Sequence, residues 1–174
     1  AREYQRRGLD VVVVTNRWPR NLPECEWIDG VRVLRFAFRM PDGSARARLG
    51  FQLTASAVFR RVLRCMRDFD VEVVHVQCVS ANGWYAARVA EALSVPLVVS
   101  VQGERTIYER SPVMNRALLR VLRSADRVTA CSKASLEDLA RYDPAGVDRT
   151  EARVVYNGIG SEAFAEGEDS DSEK

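Results

Sequence analysis

The stretch Val95–Glu104, VPLVVSVQGE, decides the fold. After Pro96 comes a near-continuous apolar run, Leu97 to Val101, which stops at a polar residue, a glycine and an acid. An unbroken run rich in β-branched residues suits a strand covered on both faces, as parallel strands are. Open α/β sheets bind ligands beyond the carboxyl ends of their strands. The run therefore predicts a central parallel strand that delivers Gln102, Gly103 and Glu104 to a reaction edge. Gly103 frees the backbone to turn sharply there.

Outward from this run, Val11–Thr15 and Val71–Cys78 (VEVVHVQC) read as two more buried strands. Val31–Phe36 alternates and predicts a strand nearer the sheet edge. Arg127–Cys131 and Val154–Asn157 read as short strands, the second ending in the turn pair Asn157-Gly158. Asn16–Gly30 and Arg39–Leu49 read as loops, the latter carrying Arg46 and Arg48.

Four helical patterns separate these pieces. The first sets Val58, Val62, Cys65 and Phe69 on one face and Arg60, Arg64 and Arg67 on another. The second is capped by Asn82 and turns Tyr85, Val89, Ala92 and Leu93 inward. Ser111 and Pro112 open the third, with Met114, Leu118, Val121 and Leu122 inward. Ser132 caps the fourth, with Leu136, Leu139 and Ala140 inward. Ala1–Gly8 reads as the last turns of a helix ended by Gly8, which predicts a further segment upstream. The alternation predicts an α/β fold with a Rossmann-like, doubly wound, mostly parallel sheet over residues 1–160. Residues 161–174 read as an acidic, disordered tail.

The chain has 174 residues, enough for one core. Its formal charge of +2 conceals a split: from Glu162 onward there are six acids and one lysine, and the preceding body carries 25 basic against 18 acidic residues. Nearly all the basic residues are arginines, whose planar fork suits carboxylate or phosphate. The row Arg60, Arg64 and Arg67 reads as a solvated face, with an anionic lipid surface as the second reading. The four cysteines form no metal-binding or disulfide spacing. No apolar segment is long enough to span a bilayer, and the reading is cytoplasmic. No GxGxxG follows a predicted strand, which argues against a dinucleotide-dependent dehydrogenase. The arginines are not interleaved with aromatics, which argues against a nucleic-acid partner.

Three pieces in order, VEVVHVQ, VPLVVSVQGE, and SADRVTACS followed by VVYNGI and Phe164, together with RRGLDVVVVT near the start, resemble the N-terminal half of retaining glycosyltransferases of family four. The likeness covers roughly Glu3 to Phe164. It implies half of a two-domain GT-B fold, the half that mainly holds the acceptor. The other half would hold a nucleotide-sugar donor, and a hexose would pass to a hydroxyl without an essential metal or other cofactor. Three departures stand out. The family's first strand and glycine-rich loop, which lie between the strands at Val11 and Val71, are absent. Those two strands must then pair directly or leave backbone groups to find other partners. Gln102 stands where the family commonly has histidine. An amide can position a sugar but cannot carry a proton at neutral pH. The donor domain would follow Asn157-Gly158-Ile159.

The resemblance makes Gln102 the candidate catalytic residue. His75, Gln77, Asn82, Gly103, Glu104, Ser132, Asn157 and Gly158 are the candidate substrate-binding residues. Each also has a plainer reading. His75, the only histidine, suits a hydrogen-bonded core position, Asn82 and Ser132 suit helix caps, and Gln102 suits the end of a strand. Arg17, Arg46 and Arg48 border the acceptor side by the resemblance and suit a phosphate-bearing acceptor. A non-catalytic binding or scaffold module on a degenerate glycosyltransferase fold is the alternative.

Overall fold

The computed structural model describes residues 1–39, 44–103 and 112–158, except the side chains at 113 and 114. Helix α1 (Arg2–Arg6) ends at Gly8, whose φ is +80°, as the sequence predicts. Strand β1 (Val12–Asn16) follows. The segment read as one long loop contains a strand, β2 (Cys25–Ile28), hairpinned onto β3 (Val31–Phe36). Asp29 and Gly30 both have positive φ, 51° and 76°, the backbone that a two-residue hairpin favours. The Asp-Gly pair was the available signal for this hairpin.

Helix α2 (Ala45–Asp68) begins earlier than the periodicity suggests, capped by Ser44, whose hydroxyl accepts from the Ala47 amide. Arg46 and Arg48 are therefore helical rather than on a loop. The row Arg60, Arg64 and Arg67 is exposed. Strand β4 is only Val74–Val76. Helix α3 (Ala81–Leu93) has Ser80 at its N-cap position, without a side-chain cap hydrogen bond, so Asn82 lies inside the first turn and does not cap it. Ala92, expected to face inward, is exposed. Strand β5 (Leu97–Val101), helix α4 (Pro112–Ser124), strand β6 (Arg127–Ala130) and helix α5 (Lys133–Tyr142) match the predicted pattern. Helix α6 (Pro144–Arg149) and the two-residue strand β7 (Arg153–Val154) complete the described fold. Ser111, the Met114 side chain, Phe164 and the stretch read as a disordered tail lie outside the described residues.

The architecture is Rossmann-like α/β with mostly parallel strands, but the strands form two sheets rather than one. The first has order β1-β3-β2, with β1 and β3 parallel and β2 antiparallel. Strand β3, expected near an edge, is therefore the middle strand. The second has order β4-β5-β6-β7 and is parallel throughout. Among the described residues β1 and β4 do not pair, so the direct pairing considered from sequence does not occur.

Helix α3 holds the two sheets together by facing both. Its Ala87 and Ala90 join Val76, Val99, Val101, Leu118, Val121 and Leu122 in one core. Its Tyr85 and Val89 join Leu34, Phe36, Phe38, Val62 and Met66 in the other. Trp84 packs against both cores. In β5, Leu97, Val99, Ser100 and Val101 are buried. The valines of β1 are only half-buried. A strand with a single paired neighbour leaves one long edge uncovered.

Candidate functional site

The parallel order of β5, β6 and β7 brings their carboxyl ends to one edge. At that edge the chain leaves β5 through half-buried Gln102 and exposed Gly103. Gly103 has φ +94°. A Cβ added there would lie 3.8 Å from the Ser135 hydroxyl, an ordinary contact. The backbone conformation rather than space therefore favours glycine.

Asn157, beyond β7, reaches back to the same place. Its Nδ2 donates to Oε1 of Gln102 at 3.1 Å, joining residues 55 positions apart. That bond fixes which end of the Gln102 amide faces β7. Ser132 occupies the N-cap of α5 as predicted, its hydroxyl accepting from the Ser135 amide at 3.1 Å. The Ser132 and Ser135 hydroxyls lie 2.9 Å apart, and Cys131 Sγ is 3.5 Å from Ser135 Oγ. Gly158 is exposed beside Asn157. Glu104 lies outside the described residues. The structure thus brings together Gln102, Gly103, Ser132, Asn157 and Gly158. Amides, hydroxyls and free α5 N–H groups can donate to and accept from hydroxyl-rich ligands.

His75 and Gln77 pair with each other on and just beyond β4. His75 pairs in register with Val98, four residues before Gln102. That separation is about 13 Å along the strand. The imidazole lies within the sheet, with Nε2 2.8 Å from the Ser100 hydroxyl and Nδ1 3.1 Å from Gln77 Nε2 and 3.4 Å from the Tyr4 hydroxyl. Ser100 in turn lies 2.8 Å from the Thr129 hydroxyl. Burial pushes the His75 pKa down. A neutral imidazole in a polar ladder across β4, β5 and β6 matches the plainer reading of this residue. Asn82, half-buried in α3, is part of neither group. Sequence reasoning passed over Ser100, Thr129 and Ser135. Ser100 was detectable as the one polar residue inside an apolar run, but its partners depend on strand register.

Among the described residues, no group of three His, Cys, Asp or Glu side chains is placed to hold a metal ion. No helix among them is long and apolar enough to cross a membrane.

Residues 1–158 match the glycosyl transferase 4-like domain, and the chain belongs to that family. It is 32% identical over 146 residues to a GDP-mannose-dependent alpha-mannosyltransferase of Mycolicibacterium smegmatis, covering 79% of this chain and 37% of the relative. A protein of the same description from Mycobacterium tuberculosis is 31% identical over 143 residues, covering 78% of this chain and 36% of the relative. The chain thus spans little more than a third of the length of these curated relatives.

Proposed function

We propose that this domain is the acceptor-side half of a retaining GT-B glycosyltransferase that moves a hexose, mannose by preference, from a GDP-sugar to a hydroxyl acceptor. The observation that carries this reading is the junction of Gln102 and Asn157 at the sheet edge, in a chain similar to GDP-mannose-dependent enzymes. Gln102 would hold the transferring sugar by hydrogen bonding, and Ser132 with the α5 N-terminus would hold an anionic or hydroxyl group. A donor domain would complete the cleft. The transfer would proceed by charge stabilisation, because an amide positions but does not relay protons at neutral pH.

The enzyme would work in the cytoplasm with peripheral membrane contact through α2. Exposed Leu49 and Leu53 there precede the exposed row Arg60, Arg64 and Arg67. Apolar and basic residues sharing an exposed helix surface suit an anionic bilayer.

Side-chain amide resonances of the chain, followed during titration with methyl α-mannoside and then with GDP-mannose, test the reading. Saturable shifts of the Gln102 and Asn157 amides with the mannoside are expected. Shifts confined to other residues, or none with either compound, would favour a non-catalytic module.

A further inference from the structure

A second polar groove lies on the helical side of the molecule, outside the sheet-edge site. It measures about 480 Å³ and is lined by Phe59 of α2, Trp84, Arg88, Glu91 and Ala92 of α3, and Arg120 of α4. Arg88, Glu91 and Ala92 lie seven to eleven residues into a helix that starts at the sheet edge. At helical rise they sit roughly 10–16 Å from that edge.

The chemistry of the groove centres on Arg88. Its guanidinium carbon lies 4.5 Å from the centre of the Phe59 ring and 5.0 Å from that of Trp84. Two aromatic faces hold the planar cation in place while leaving its N–H edge available. Among the described residues no carboxylate pairs with Arg88 or with Arg120 across the groove. By contrast Arg17 and Arg35, like Arg88 at least partly withdrawn from solvent, each pair with a glutamate. A preorganised arginine lining one groove with a second arginine is an arrangement that suits phosphate. The stacked guanidinium occupies a face of each ring. Trp84 also meets Phe51 and Tyr85 edge-on, at 5.0 and 4.8 Å between centroids. That crowding disfavours stacking of a nucleobase. The single carboxylate, Glu91, is an acceptor for hydroxyl groups.

We propose that this groove binds a polyol phosphate, with Arg88 and Arg120 on the phosphate and Glu91 on the hydroxyls. The ligand is either a free compound or the headgroup of a phospholipid, since both present the same chemistry.

The test follows the Trp84 indole N–H resonance of the chain in two titrations. One uses glycerol 3-phosphate, with glycerol as control. The other uses phosphatidylglycerol vesicles, with phosphatidylcholine vesicles as control. A saturable shift in the first is expected for a free ligand, and a shift in the second alone assigns the groove to a lipid headgroup. Arg88→Gln and Arg120→Gln should each weaken binding about tenfold, the loss expected for one charge-assisted hydrogen bond. Glu91→Gln should reduce the preference for glycerol 3-phosphate over inorganic phosphate. Arg141→Gln, on exposed α5, should change nothing. The exposed Arg120 can be replaced without disturbing packing, so the test survives if the Arg88 variant unfolds. No saturable shift in either titration up to about 10 mM, the weak end of specific recognition, would overturn the proposal. So would undiminished binding by the double arginine variant. Neither result depends on transferase activity.

Discussion

Strands β1 and β5 are written in nearly the same language and end in different surroundings. Val11–Val14 and Leu97–Val101 are both valine-rich runs that predict buried parallel strands. Strand β5 has β4 on one side and β6 on the other, and four of its five residues are buried. Among the described residues strand β1 pairs with β3 alone, and all five of its residues are half-buried. An apolar run therefore reports that a strand favours burial and parallel pairing. It does not report how many neighbours the strand finds. The split falls between β1 and β4, where the family resemblance implies a further strand.

Hydrogen exchange gives the widest separation between the two regions. Amides of β5 bonded to its neighbours should exchange only on global opening. Amides of β1 directed away from β3 should exchange about a thousandfold faster or more, as unpaired edge groups do. Equal protection would mean that the β1 edge is covered.

Side-chain truncation sharpens the same contrast. Leu97→Ala removes a fully buried side chain from the larger core. It should cost about 2–5 kcal/mol in denaturant unfolding. Val14→Ala, on half-buried β1, should cost about 1 kcal/mol. A Val14 loss as large as that of Leu97 would contradict the open-edge account.

The smallest effect is a pH dependence. Burial lowers the folded-state pKa of His75, so the unfolded chain takes up the proton first. The neutral imidazole's contribution should be full above about pH 6.5, the ordinary histidine value. It should fade as pH falls through the depressed folded value. Unfolding midpoints of the chain and of a His75→Gln variant, compared at pH 7.5 and at lower pH, check this. The variant should lose that component of acid sensitivity.

Much of this fold could be read from sequence because the relevant signals are local. The apolar run at Leu97–Val101, the helix end at Gly8 and the Ser132 cap depend on neighbours within a few residues. The β2 strand was missed because Cys25–Ile28 is short and largely exposed, although Asp29-Gly30 marked its turn. Ser80 rather than Asn82 occupies the N-cap position of α3, a two-residue shift that periodicity alone does not resolve. At the site, the order of strands set the outcome. Register separates His75 from Gln102, while topology brings Asn157 onto Gln102 from 55 residues away. The resemblance marked both ends of that contact as candidates; only the folded chain shows that they touch.

The most direct test of the proposed transfer is steady-state kinetics of a full-length protein containing this domain, with GDP-mannose as the proposed donor and a hydroxyl acceptor. Gln102→Ala should lower kcat about a hundredfold with little change in the acceptor KM, as expected for a group that stabilises charge and position in the transition state. Unchanged kcat in a folded Gln102→Ala enzyme would contradict the assignment of sugar transfer to this sheet edge.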